Sequence, residues 1–174
     1  VGGDDLDLLF PLDPPQLLIL PLEPSLLWTS DLGAEIQGRP SLADVDEDGL
    51  LDAIVVTSGT SDRIVALSGR DGRTLWVREG RKGWSRSAAV GDFDADGAMD
   101  CVVADNDGAV SALRGRDGSP LWVAEVGFYS GDAPAVGDLD GDGGQDCVVG
   151  SRRKKVLAIR GRDGVVLWGV DLEE

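Results

Sequence analysis

The sequence predicts an all-β fold: a β-propeller of about four blades of four antiparallel strands, the first blade incomplete, or an arc of a larger propeller. One observation is a Leu-Trp pair that recurs at intervals of 48, 46 and 46 residues, with its tryptophans at Trp28, Trp76, Trp122 and Trp168. Another is an aspartate-rich loop with matching spacing, which begins at Asp44, Asp92 and Asp138. The segments between these landmarks are short and rich in β-branched residues, with no sustained helical period. Repeats of this length indicate stacked units, of which propeller blades are the leading candidates.

Each period divides into four strand-like pieces. The first runs into the aspartate-rich loop, at 40–43, 88–90 and 134–136. The second leaves the loop, at 53–56, 101–104 and 147–149. The third follows a turn, at 63–67, 109–113 and 155–159, and the fourth contains the Leu-Trp pair, at 75–77, 121–123 and 167–170. Between the third and fourth pieces stands Gly-Arg-Asp-Gly, at 69–72, 115–118 and 161–164, and Asp-Gly between apolar runs predicts a hairpin turn.

The chain is predicted to be a single repeat domain divided into one partial and three complete blades. The partial blade covers residues 1–32, and the complete blades cover 33–80, 81–126 and 127–174. In the partial blade, 7–10 and 17–20 fit the second and third strands. No segment remains to supply its first strand, so we expect this blade to be open.

The three loops have the composition of calcium sites. Each places aspartates at relative positions 1, 3, 5 and 9 and a glycine at position 6. Ca²⁺ takes six to eight oxygen ligands, and alternate carboxylates in a tight loop can all turn inward, with the carbonyl of position 7 as a further ligand. The predicted ligands are Asp44, Asp46, Asp48, Leu50 and Asp52 in loop one, Asp92, Asp94, Asp96, Ala98 and Asp100 in loop two, and Asp138, Asp140, Asp142, Gly144 and Asp146 in loop three.

The loops allow two other interpretations. A solvated Asp/Gly-rich turn would explain one copy, but three copies at a fixed spacing favour a metal site. An EF-hand would need a glutamate at position 12 between two helices. Position 12 is Val55, Val103 or Val149, inside a β-rich run, so these loops are not EF-hands. We therefore expect about three Ca²⁺ ions per chain.

The composition argues against a nucleic-acid partner, a membrane-spanning helix and a disulfide. The chain has 174 residues, with 16 Lys plus Arg against 32 Asp plus Glu, and this acidity argues against a nucleic-acid partner. No apolar run is long enough to cross a membrane as a helix. Cys101 and Cys147 occupy equivalent repeat positions and are predicted to be small buried residues rather than a disulfide.

Most catalytic arrangements are missing from the sequence. The chain contains no histidine, and no Gly-x-Ser-x-Gly or P-loop pattern occurs. We predict no catalytic residue and no organic cofactor site. The basic segment 152–155 is predicted to be a solvated hairpin tip, with contact to an anionic partner as the alternative. Trp84, Phe128 and Tyr129 precede first strands and are expected to pack between blades or to form an aromatic recognition surface.

The repeat carries two family resemblances. The Asp-x-Asp-x-Asp-Gly-x-x-Asp loop followed by an apolar strand resembles the FG-GAP/VCBS repeats of integrin α-subunit propellers and many secreted proteins. The frame from Ala66 through Asp71-Gly72 to Trp76 resembles the PQQ-type (quinoprotein) blade signature, although aspartate stands where that family usually has threonine. These resemblances cover about residues 27–172. They imply a propeller with structural calcium whose tryptophans dock one blade against the next.

The combined prediction is a non-catalytic, calcium-binding propeller module for protein or glycan recognition or adhesion. An extracellular or cell-surface location is expected, because weak carboxylate sites suit the millimolar calcium outside cells. One alternative is an assembly subunit that self-associates through its open first blade, since an exposed sheet edge invites strand addition. The other alternative is a fragment of a quinoprotein dehydrogenase or of a polysaccharide lyase.

Overall fold

The computed structural model describes residues 26–36, 38–58, 62–80, 83, 87–127, 132–151 and 154–172. In this part of the chain all regular structure is β, without a helix. The strands are β1 (Glu35–Ile36), β2 (Ser41–Ala43), β3 (Asp52–Ser58), β4 (Arg63–Leu67), β5 (Thr74–Glu79), β6 (Ala89–Gly91), β7 (Asp100–Ala104), β8 (Ala109–Leu113), β9 (Pro120–Glu125), β10 (Ala135–Gly137), β11 (Asp146–Ser151), β12 (Lys155–Ile159) and β13 (Val166–Asp171).

The described strands form three antiparallel meanders, which we call blades one to three. Blade two has the order β6-β7-β8-β9 and blade three has the order β10-β11-β12-β13. In blade one, β2 and β1 pair with different parts of the same edge of β3, at Ala43↔Asp52 and at Ile36↔Thr57. They are therefore two halves of one interrupted first strand. The first strands of neighbouring blades contact each other, β2 with β6 and β6 with β10.

The predicted fold class is confirmed. All three predicted third strands have the observed bounds, and the other predicted strands differ by one to three residues at their ends. The short β1 was not predicted. The predicted strands of the partial first blade, 7–10 and 17–20, lie outside the described residues, as do Trp84, Phe128, Tyr129 and the arginines of segment 152–155.

The core lies between the blades, because the sheets of blades one and two bury both of their faces. On β3, Ile54 and Val56 face blade two, where they pack with Cys101 and Val103. The alternate residues of β3, such as Val55, pack with Trp28 and Leu32 on the opposite face. A second core cluster joins blades two and three in the same manner. This packing explains why the second and third strands carry apolar residues on both faces over most of their length.

A tryptophan fixes each described contact to the next blade. Trp76 donates its indole N–H to the carbonyl oxygen of Gly115 (2.5 Å), and Trp122 donates to Gly161. Their rings lie on the last glycine of the Gly-Arg-Asp-Gly turn: a Cβ built at Gly118 would lie 2.7 Å from the Trp76 ring. That glycine also has a positive φ, which glycine adopts at little cost. The same contact joins Trp28 to the turn of blade one.

The two cysteines are free and buried, as predicted. Burial raises the pKa of both thiols to about 12, because the thiolate would lose its hydration. Both therefore act as small apolar core residues. None of the described residues forms a helix that is long and apolar enough to cross a bilayer.

Candidate metal centres

Each aspartate-rich loop connects the first and second strands of a blade, and its backbone needs two left-handed residues. Gly49, Gly97 and Gly143, at loop position 6, have φ of 88°, 90° and 93°. Position 4 is also left-handed, with φ of 60° at Glu47 and 58° at Ala95. These conformations turn the chain sharply and bring the alternate side chains to the inside of the loop. The conserved spacing of aspartate and glycine within the chain is thus a requirement of the loop's shape.

The structure brings three carboxylates together in each loop. One oxygen from each member lies within 4.8 Å of the others in the groups Asp44/Asp46/Asp48, Asp92/Asp94/Asp96 and Asp138/Asp140/Asp146. The position-1 aspartate orients each loop by accepting backbone N–H bonds. Asp92, for example, accepts from Asp96 (3.1 Å) and Gly97 (2.9 Å). Three converging carboxylates supply the hard oxygen donors that Ca²⁺ prefers.

The position-9 aspartate has a second task, which sequence reasoning missed. Asp52 accepts hydrogen bonds from the N–H groups of Val45 (2.9 Å) in its own loop and Gly69 (2.9 Å) in the Gly-Arg-Asp-Gly turn. Asp100 and Asp146 connect their loops to Gly115 and Gly161 in the same way. All three aspartates are buried. They therefore join the two connections at one end of each blade, and only Asp146 also belongs to a close carboxylate group.

The remaining predicted ligands lie outside the close carboxylate groups. The backbone N–H groups of Leu50, Ala98 and Gly144 donate to the position-5 aspartate of their own loop, at 2.9–3.0 Å. Their carbonyls as calcium ligands stay a prediction. Asp142 lies outside the close group of loop three and pairs with Arg162 at 3.3 Å.

Arginines from the neighbouring turn balance part of the negative charge in every loop. Arg70 contacts Asp48 at 3.0 Å, and Arg114 contacts Asp94 at 3.2 Å. Between blades one and two, Arg116 reaches Glu47 of loop one at 2.6 Å. Sequence reasoning treated the Gly-Arg-Asp-Gly motif only as a turn. The order of the strands could have predicted this contact between loop and turn. In a four-stranded meander, the connection after the first strand and the connection after the third strand lie at the same end of the sheet.

The remaining electrostatics favour a cation. The pKa of Asp100 is raised to about 6, chiefly by burial and in addition by the negative charges of Asp94 and Asp96, against two backbone hydrogen bonds that lower it. Desolvation raises the pKa of Asp46, and the charges of Asp52 and Asp48 add to the effect. A bound divalent ion would relieve this repulsion.

Loop two also offers an acceptor that lacks a partner. Oxygen Oδ1 of Asp94 is buried and has no hydrogen-bond partner among the described residues. A recess of about 240 Å³ lies beside this loop, lined by Asp96, Ala98, Asp100, Arg114, Arg116 and Asp117. An unpaired buried carboxylate oxygen costs free energy unless a donor or cation satisfies it. The donor set, the free acceptor and the recess thus fit Ca²⁺, which these carboxylates would hold.

Comparison with known proteins gives a family match over most of the chain. Residues 22–174 match the family described as outer membrane protein assembly factor BamB. This match confirms the PQQ-type part of the sequence resemblance, whereas the FG-GAP part stays a prediction from the loops. No curated protein matches the chain.

Solved structures support the propeller fold. BamB from Moraxella catarrhalis is similar, with a TM-score of 0.60 and 21% identity over 84% of this chain and 40% of that one. The computationally designed Ika8 protein gives a TM-score of 0.55 and 14% identity over 77% of this chain and 36% of that one. The chain thus spans well under half the length of either structure. At these identities the likeness concerns the fold alone.

Proposed function

Because the chain belongs to the family of the outer membrane protein assembly factor BamB, we propose that it is a non-catalytic β-propeller module for protein recognition, stabilised by Ca²⁺. The observation that carries the proposal is the convergence of three carboxylates in each of three equivalent loops. The fold supplies a rigid scaffold, and propellers with this architecture host many functions, so the function is argued from the loops.

Calcium would act here on folding and on the shape of one molecular surface. The three loops and the three Gly-Arg-Asp-Gly turns lie at the same end of the blades. With an ion bound, Asp48, Asp94 and Asp142 no longer need their arginine partners for charge balance. We expect the arginines to become available to carboxylates of a partner protein, with acidic glycans as the alternative ligand.

The expected stabilisation is moderate. Calcium modules outside cells have dissociation constants of about 10⁻⁴–10⁻³ M. At about 1 mM free calcium, each site would then contribute about 0.4–1.4 kcal/mol of folding free energy by linkage. Three sites together would contribute about 1–4 kcal/mol, which is a large share of the stability of an ordinary domain. This dependence suits an extracellular or cell-surface location, where millimolar calcium is constant.

Isothermal titration of the chelator-treated chain with CaCl₂ tests the metal part. We expect about three bound ions per chain and a melting temperature that falls when EDTA is added. The variant Asp94→Asn should bind about one ion fewer. Asp117→Asn is the matched control, because Asp117 lines the same recess from the turn and is not a predicted ligand. Its binding should match that of the unaltered chain.

Two results would contradict the calcium proposal. One is the absence of binding at several millimolar calcium, and the other is a stoichiometry that Asp94→Asn leaves unchanged. A separate screen tests recognition: immobilised ectodomain proteins and acidic glycans are probed by interferometry, with and without calcium. Calcium-dependent protein binding is expected, whereas binding of glycans alone would favour the alternative ligand.

The absence of catalysis is tested directly. The sequence has no histidine, and the carboxylates of the recess serve the loops and their arginine pairs. We expect no dye reduction after addition of a quinone cofactor with calcium, and no unsaturated product from acidic polysaccharides. Either product, formed in proportion to the protein, would replace this proposal with the enzyme-fragment alternative.

A further inference from the structure

The two sheet faces that meet between blades one and two each end in a polar residue. Val56 of β3 and Val103 of β7 belong to the core cluster that joins these blades. Because side chains alternate between the two faces of a strand, the residues two positions further on, Ser58 and Asp105, face the same interface. Both lie at the end of the blades opposite the aspartate-rich loops, since successive connections of a meander alternate between its two ends.

Each of these two residues has a buried oxygen that lacks a hydrogen-bond partner. Asp105 is fully buried, and its Oδ1 accepts the N–H of Ala109 (2.8 Å). Its Oδ2, however, has no partner among the described residues, and the same is true of the buried Oγ of Ser58. A buried carboxylate oxygen costs free energy unless a donor or a cation satisfies it. The two oxygens, one from each blade, therefore point to a shared ligand.

The equivalent position in blade one shows that the hairpin itself does not need a carboxylate there. Thr57 occupies that position, and its Oγ1 accepts the N–H of Arg63 (3.2 Å). The bond from the Ala109 N–H to Oδ1 of Asp105 is its counterpart in blade two. One hydroxyl oxygen is thus enough to close the hairpin. The second oxygen of Asp105 is additional to that task and brings a negative charge into the interface.

Asp62 places a second carboxylate beside the pair. Ser58 and Asp62 extend the register of β3 and β4 by one pair, so their side chains lie on the same sheet face. Oδ2 of Asp62 accepts the N–H of Gly83, whose carbonyl accepts the N–H of Asn106. Because Asn106 directly follows Asp105, Gly83 connects the Asp62 carboxylate of blade one to the end of β7 in blade two.

We propose that Asp105 and Ser58, together with Asp62, bind a monovalent cation such as Na⁺ between blades one and two. Carboxylate and hydroxyl oxygens are hard donors, which select hard cations. One positive charge balances the negative charge that Asp105 brings into the interface, while Asp62 already accepts a backbone N–H. The charge count therefore favours a monovalent over a divalent ion. This site lies apart from the three loops and does not depend on calcium there.

Thermal unfolding at constant ionic strength tests this site. NaCl replaces tetramethylammonium chloride stepwise in saturating calcium, because the organic cation is too large to reach a fully buried carboxylate. The melting temperature should rise by about 3 °C or more and then level off. Asp105→Thr should remove this rise while keeping the hairpin bond that Thr57 makes in blade one. Asp107→Asn is the matched control, because Asp107 is exposed in the same hairpin, and it should respond like the unaltered chain.

The width of the sodium NMR signal supplies a second readout that does not depend on stability. Exchange of Na⁺ with a protein site broadens this signal. Asp105→Asn is nearly isosteric and removes the charge, so it should reduce the broadening, whereas Asp107→Asn should leave it unchanged. Any Na⁺ bound elsewhere contributes equally to both variants. Failure of the calcium proposal would therefore not resemble failure of this one.

Two outcomes would overturn the inference. One is a response to Na⁺ in Asp105→Thr and Asp105→Asn that equals the response of the unaltered chain. The other comes from combining Ser58→Ala with Asp105→Thr: a non-additive effect on the melting temperature that Na⁺ does not alter. In that case a bridging water, rather than a cation, would join the two oxygens.

Discussion

At the scale of single residues, Asp46 and Asp52 illustrate two uses of carboxylates within one loop. Asp46 belongs to the converging group, and its pKa is raised by desolvation and by neighbouring negative charges. Asp52 is buried and accepts backbone N–H bonds that tie the loop to the turn. In loops one and two, the aspartates at positions 1, 3 and 5 converge and the position-9 aspartate connects the loop to the turn, whereas in loop three Asp146 does both.

The first prediction separates charge from shape. Asp46→Asn keeps an oxygen acceptor and removes one repelling charge, so the variant should melt at the same or a slightly higher temperature in EDTA. In calcium the order should reverse, because the site loses a charged ligand and we expect its affinity to fall by about 10-fold or more. Scanning calorimetry in both conditions provides the measurement. A variant that is less stable in EDTA would contradict the repulsion argument.

The second prediction concerns position 9. Asp52→Ala leaves the N–H groups of Val45 and Gly69 without their acceptor, and each unsatisfied buried group costs about 1–3 kcal/mol. The free energy of unfolding should therefore fall by about 2–5 kcal/mol, with similar losses in EDTA and in calcium. Urea titration of this variant beside Asp46→Asn provides the comparison. A loss confined to the calcium sample would instead assign Asp52 mainly to the metal.

The sequence predicted which aspartates lie in each loop, but it did not predict which of them converge and which connect the loop to the turn. Alternation with glycine placed positions 1, 3 and 5 inside a tight turn, which is a local property of the loop. The partners of Asp52 and Arg70 are 17 and 22 residues away in sequence. Such contacts depend on how the meander closes, and neither spacing nor composition encodes that directly.

At the scale of elements, the first glycine of each Gly-Arg-Asp-Gly turn controls the approach of loop and turn. A Cβ at Gly69, Gly115 or Gly161 would lie within 2.0 Å of the carbonyl oxygen at loop position 8. The turn therefore requires glycine for space in addition to hairpin conformation. The carbonyl oxygen of the same glycine accepts the indole N–H hydrogen bond from the tryptophan of the preceding blade. One glycine therefore contributes both to the fold of its own blade and to the contact with the preceding blade.

The third prediction follows from that crowding. Gly115→Ala forces the Met99 carbonyl and the turn apart, and should reduce the free energy of unfolding by about 1–3 kcal/mol. Gly137→Ala is the matched control, because a Cβ there meets no heavy atom within 4 Å. Urea unfolding followed by circular dichroism compares the two. Equal stability of both variants would show that the loop and turn yield at little cost.

Strand positions were predictable because each strand carries its own signal. The third strands are short, mostly apolar runs between two turns, and their bounds agree with the structure. The division of the first strand of blade one into β1 and β2 had no such signal. It depends on the pairing of β1 with the far end of β3, which reaches Ser58 and is longer than β7.

At the scale of the whole molecule, the loops place the proposed metal sites against the packing of neighbouring blades. Phe93, next to the first aspartate of loop two, is fully buried in the cluster it shares with Cys147, Val149 and Ile159 of blade three. The carbonyl of Asp92 also accepts the N–H of Gln145. An ion that orders loop two should therefore hold the edge of blade three as well. These contacts therefore predict that loop two affects the stability of blade three.

The last prediction concerns this effect of loop two on blade three. In calcium, Asp94→Asn should lower the hydrogen-exchange protection of β7 and also of β11 and β12, while β3 and β4 keep theirs, because loop two packs on blade three. Exchange followed by mass spectrometry in calcium and in EDTA gives the difference for each strand. Asp140→Asn in loop three is the control and should affect blade three alone. Equal loss across all three blades would mean that the metal stabilises one global unfolding unit, and loss confined to β7 would mean that Phe93 transmits nothing across the interface.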